Sequence, residues 1–120
     1  MKSLRERARE LTTLSELMVD REKISTEDII RNFDGKITIS AVDIVEQDEH
    51  TRYGVVIFKE QLTVFYCAGK ILTGIIDELV NDYGSIDNVN KILREEGGLS
   101  IKLTESKTRE NKNVTRVSIL

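Results

Sequence analysis

The stretch that most constrains this chain runs from Arg52 to Gly69, RYGVVIFKEQLTVFYCAG, two β-rich runs joined at the polar Lys59, Glu60 and Gln61. It holds Tyr53, Phe58, Phe65 and Tyr66, four of the six aromatic residues present. Neither run alternates cleanly between apolar and polar positions. That pattern suits strands with one face in a core and the other partly apolar and open to contacts. The segments on either side are therefore expected to complete a small barrel around this hairpin.

Those segments carry their own signals. Ser25 or Thr26 can cap a short helix whose first turn holds Glu27 and Asp28 and whose buried side is Ile29, Ile30 and Phe33; Asp34-Gly35 then marks a turn. A strand is expected from Lys36 to about Val45. Ile37 and Ile39 share one phase and Val42 and Ile44 the other, which predicts a bulge near Ser40-Ala41. The polar run from Glu46 to Thr51 reads as a loop. After the hairpin, Ile71, Leu72, Ile75, Ile76, Leu79 and Val80 form the stripe of a helix ending at Tyr83-Gly84, and a shorter helix runs from Ser85 to Glu96 before Gly97-Gly98. Two alternating strands follow, Leu99 to Thr104 and Val114 to Ile119, with Glu105 to Asn113 as a polar, basic loop between them. Residues 1–20 read as an amphipathic helix with Leu4, Ala8, Leu11, Leu14 or Ser15, and Met18 on one side.

At 120 residues and 39% hydrophobic, the chain fits one barrel domain, residues 34–120, with a helical arm at 1–33. It has no proline and no Gly/Ser-rich linker, and a second core is not expected. The single cysteine, Cys67, has no disulfide partner and reads as an inert buried thiol; His50, the only histidine, reads as a solvated loop residue. The N-terminal segment interleaves charges with leucines, so neither a signal peptide nor a membrane span is expected and the cytoplasm, that of a bacterial host, is the expected setting. No phosphate loop, nucleophile elbow, zinc-protease signature or Cys/His cluster is present, so neither catalytic residues, metal, cofactor nor small-molecule substrate is expected.

Charge is unevenly spread. The net charge is −3, but residues 72–97 carry two basic against six acidic side chains and residues 98–120 five basic against two acidic. The final hairpin is thus a basic patch on an acidic protein.

The order strand, strand, strand, helix, strand, strand after a helical arm predicts an α+β fold of mainly β character. Specifically, it points to a five-stranded OB-type Greek-key barrel with its helical insertion between strands 3 and 4. The runs VVIFKE and TVFYCAGKILTGIIDE, the later ESKTRENKNVTRVSIL and the arm REKISTEDII resemble the small single-stranded DNA-binding OB-fold proteins carried by phages and plasmids of Gram-positive bacteria. That resemblance implies sequence-nonspecific binding of single-stranded DNA or RNA in replication or recombination, with aromatic rings stacking on bases and cations following phosphates. The candidate stackers are Tyr53, Phe65 and Tyr66, with Phe65 expected outward rather than Tyr66. The candidate phosphate contacts are Arg52, Lys59, Lys102, Lys107, Arg109, Lys112 and Arg116. Phe33 and Phe58 are assigned to the core. The competing expectation is a protein-interaction module, such as a phage-encoded inhibitor of, or adaptor to, a host protein, using the arm and the acidic helices. A homo-oligomer through the N-terminal helix is expected under either reading.

Overall fold

The computed structural model describes residues 4, 15–46, 52–107, 109, 110 and 112–120. Its strands are β1 (Glu22–Ile24), β2 (Lys36–Glu46), β3 (Arg52–Phe58), β4 (Val64–Cys67), β5 (Leu99–Lys107) and β6 (Asn113–Ile119); its helices are α1 (Thr26–Phe33), α2 (Lys70–Tyr83) and α3 (Ile86–Glu96). The mixed α+β class is as expected: three helices pack on one six-stranded sheet curled into a half-barrel.

Local chemistry sets the helix ends. Ser25 Oγ accepts the Asp28 N–H at 3.1 Å and Ser85 Oγ accepts the Asn88 N–H at 3.1 Å, so α1 and α3 begin on side-chain caps. Asp34, Gly84 and Gly97 end α1, α2 and α3 in the left-handed conformation. Gly35 follows at φ +76°, where a Cβ would collide with the Leu103 carbonyl oxygen; only glycine lets the turn press against β5. The Leu103 N–H donates to the Gly35 carbonyl at 2.8 Å across that contact.

Within the sheet, β2, β3 and β4 are antiparallel neighbours in succession and β5 returns to lie beside β2, the Greek-key order. The bulge expected near Ser40-Ala41 is present: the β2–β3 register shifts between Ile39 and Ala41. Beyond it β2 runs on past the start of β5. There Asn90 of α3 substitutes for the missing strand, accepting the Val42 N–H at 2.8 Å and donating to the Val42 carbonyl at 3.0 Å.

Two features differ from the five-stranded expectation. Glu22–Ile24 is a sixth strand, paired in parallel with Val64–Tyr66. It occupies the outer edge of β4, so the ladder of strands runs from β1 to β6 without joining its two ends. The final hairpin is also longer than expected. Ser106 pairs with Val114 and Lys107 with Asn113, extending both strands into the polar run. The helix expected over residues 1–20 falls largely outside the described residues; from Ser15 onward there is a 3-10 turn, Glu16–Met18. Most of the loop expected at 46–51, His50 included, also lies outside them.

Apolar side chains fill both faces of the central strands. On the inner face Ile37, Ile39, Val42, Val56, Phe58 and Leu103 form one cluster with Ile29 of α1, Leu72 and Ile76 of α2, and Val89 and Leu93 of α3. Ile24 and Ile29, from the segment read as an arm, belong to this core. Phe33 and Phe58 meet edge to face with centroids 5.6 Å apart, so both rings assigned to the core are there. On the outer face Val45, Val55, Ile57 and Phe65 form a second cluster, with Leu17 and Met18 packed against it. No helix among the described residues is long and apolar enough to cross a membrane.

Candidate nucleic-acid interface

The candidate stackers do not form an open aromatic face. Tyr66 is 3% exposed in the inner core, and its hydroxyl lies 2.7 Å from Thr26 Oγ1. Burial pushes its pKa up, offset in part by the Thr26 hydrogen bond. Phe65 lies on the outer face, as expected of the outward ring, yet is 8% exposed because Leu17 and Met18 cover its cluster. Tyr53, half-buried, packs against the same cluster, and burial followed by the neighbouring Cys67 raises its pKa. Thus the β3–β4 surface, where an OB-type protein would present its rings, is covered by residues 15–18.

This covering segment is tied down at both ends. The buried Ser15 hydroxyl donates to Asp43 Oδ2 at 2.7 Å and accepts the Leu17 N–H at 3.2 Å. Arg21 Nε donates to the Leu62 carbonyl at 2.8 Å, and the Glu22 N–H reaches the Thr63 carbonyl at 3.3 Å. Cys67 is half-buried beneath it, and burial raises its thiol pKa against a smaller opposing effect of Lys23. A thiol held in that way is a weak nucleophile.

The candidate cations divide into groups. Arg52 faces α2, bonded to Asp77 Oδ2 at 2.5 Å and Glu46 Oε1 at 3.0 Å, with its pKa raised first by the Asp77 hydrogen bond. Its guanidinium is engaged on the helical side, beside an open cleft of about 420 Å³ that also holds Lys70 and Thr73. Lys59 is exposed at the β3–β4 turn, next to the Gly97-Gly98 link. Lys107, Arg109 and Lys112 are exposed at the tip of the final hairpin, where Lys112 lies 3.6 Å from Glu110.

Lys102 and Arg116 lie on the outer face of that hairpin, where the register brings in a residue that local pattern did not single out. Lys36 of β2 is directly opposite Lys102, and Lys102 is directly opposite Ser118. By the same registers Thr38 faces Ser100, Thr104 faces Arg116, and Ser106 faces Val114. Directly opposed residues share a face, and alternation puts Ile37, Ile101 and Leu103 on the other one, in the core. The outer face of β5, β6 and the Lys36–Thr38 part of β2 is therefore Lys36, Lys102 and Arg116 set among serines, threonines and one valine. No Asp or Glu holds an outward position there from Lys36 to Thr38, Ser100 to Ser106 or Val114 to Ser118. Arg116 Nε donates to Ser106 Oγ at 3.0 Å, which aims the guanidinium across β5. At one end Glu60 brings in a carboxylate, accepting from the Thr38 N–H at 2.7 Å and the Thr38 hydroxyl at 2.9 Å.

This arrangement can hold an extended anion by charge and hydroxyl hydrogen bonds. It offers no nucleophile and base within reach of each other, and among the described residues no three metal-ligating side chains group together. No protein-family model matches the chain, and no curated protein and no solved structure matches it either.

Proposed function

We propose that this is an OB-type protein that binds single-stranded DNA without sequence preference, holding the sugar–phosphate backbone on the outer face of β2, β5 and β6. The observation that supports this reading is the juxtaposition of Lys36, Lys102 and Arg116 on one strand surface otherwise lined by hydroxyl side chains and one valine. Cations and Ser/Thr hydroxyls are the groups that contact phosphates, and such contacts carry no base information. The Greek-key order with helices between β4 and β5 agrees with an OB-type barrel opened along one seam. Stacking by Phe65 and Tyr66 has no part in this version, because both rings are buried.

Titration of a fluorescent oligothymidine at several salt concentrations tests the proposal. Binding at low salt with a negative log–log slope is expected, and Lys36→Ala, Lys102→Ala and Arg116→Ala should each reduce the magnitude of that slope by about 0.7. Phe65→Leu should leave affinity unchanged. Loss of a stacking ring would instead cost about 1–3 kcal/mol, and that result would restore the aromatic site. Absence of binding at low salt refutes the proposal.

A further inference from the structure

The two edges of the sheet are protected very differently. At one end β1 has three residues, two of them the charged Glu22 and Lys23. At the other, β6 is seven residues long, runs beside β5 in unbroken register, and exposes Ile119 (56%) and Leu120 (64%). Among the described residues no strand pairs with its outer edge. Long, flat, partly apolar edges are templates for pairing with another chain, and proteins ordinarily blunt them with proline, a bulge, charge or shortness.

The hydrogen-bond phase shows which groups this edge offers. Leu120, just past β6, donates to the Ser100 carbonyl at 3.0 Å, which continues the β5–β6 register one step beyond Ile101 and Ile119. In an antiparallel ladder bonded pairs alternate, so Ser118, Arg116 and Val114 also turn their backbone groups toward β5. Asn113, Thr115, Val117 and Ile119 turn theirs outward.

We infer that β6 pairs with β6 of a second copy of this chain, antiparallel and centred on Val117. In that register Val117 lies opposite its own symmetry mate, Thr115 opposite Ile119, Arg116 opposite Ser118, and Val114 opposite Leu120. Both exposed apolar residues are then covered by a β-branched partner. Centring on Arg116 instead would place two guanidinium groups directly opposite each other, a destabilising arrangement. Arg109 and Lys112 of each basic hairpin tip lie beyond the partner's paired segment, so tip does not face tip. Cover for Ile119 and Leu120, with the two Arg116 side chains kept out of direct opposition, thus selects one self-complementary register, the isologous contact of a two-fold dimer.

The two-fold axis of such a joined sheet is perpendicular to it, so the outer faces of both copies look the same way. Lys36, Lys102 and Arg116 of one copy continue into those of the other. The two Arg116 residues become diagonal neighbours about 7–8 Å apart, each drawn toward its own β5 by Ser106. The doubled basic track rests on the proposed DNA-binding reading; the dimer does not.

Sedimentation equilibrium of the full chain without DNA decides the dimer. Wild type should show twice the 13.7 kDa chain mass at micromolar concentration. Val117→Pro should be monomeric with an unchanged circular dichroism spectrum, because it removes an outward N–H that β5 does not use. Ile119→Lys, which charges the edge, should also be monomeric and is the deciding variant if proline disturbs folding. A monomeric wild type, or an Ile119→Lys protein that stays dimeric, overturns the inference. A dimer that fails to bind oligothymidine would leave the pairing intact and refute only the DNA-binding reading. If both hold, the monomeric variants should bind a long oligothymidine more weakly than wild type while keeping the contacts of one face.

Discussion

Glu60 shows how one side chain joins separate segments. It sits in the β3–β4 turn and grips Thr38 of β2 through the backbone N–H and the hydroxyl. Partial burial pushes its pKa up, but the hydrogen bonds from Thr38 and the nearby Lys59 outweigh that, so the net shift is downward from 4.5. A depressed folded pKa means its contribution is fully present above the unfolded value and disappears as pH falls through the folded one. Glu60→Gln should therefore be less stable than wild type at neutral pH, with the gap closing in acid. Urea unfolding across that range measures it. Because the carboxylate is exposed, water screens it and the neutral-pH gap should stay under about 1 kcal/mol. At the same scale, the difference between Phe65 and Tyr66 was half legible. Alternation put them on opposite faces, but the cover over the outer face comes from residues 17 and 18, more than forty positions earlier.

At the scale of elements, the connection between α3 and β2 carries the bulge. Past Ile39 the β2 strand has lost β5 as a neighbour, and Asn90 alone bonds both backbone groups of Val42 from that side. Replacing it leaves a part-buried N–H and carbonyl without partners, a penalty of about 1–3 kcal/mol. Asn90→Ala should lower stability by that amount in chemical denaturation, and should speed amide exchange at Val42 more than at Val56. Element boundaries themselves were largely written in short-range chemistry. Ser25, Ser85, Asp34 and Gly84 sit at helix ends because their side chains or φ values satisfy terminal groups. The phase change between Ile39 and Val42 announced the bulge for a similarly local reason. The strand Glu22–Ile24 was not announced, since three residues give no usable period and its parallel partner is about forty positions away.

Over the whole molecule, the sheet is buried on both sides at its centre, and its outer face is exposed along β5 and β6. The outer cluster is closed by Leu17 and Met18 with a few hydrogen bonds, and the single cysteine lies within it. Cys67 is thus a built-in reporter of that closure. Leu17→Ser combined with Met18→Ser weakens the cover; a loss of about 1–2 kcal/mol raises the open population about 5- to 30-fold. The rate of Cys67 modification by a thiol reagent should rise by that factor, while the far-UV spectrum is retained. An unchanged rate would show that residues 15–18 do not control access to this face.

The amino-acid sequence alone determined the three helices from Ser25 onward and the cores of the five longer strands, where the helices are capped, where β2 bulges, and that the final hairpin is basic. Each of these depends on residues within a few positions of one another, where side-chain period and backbone propensity act directly. Only the tertiary structure decided that β1 takes the edge of β4, that the aromatic rings are covered, and that Lys36 stands beside Lys102. Those outcomes depend on which distant backbone groups pair and in which register, and in a strand a shift of one residue moves every side chain to the opposite face.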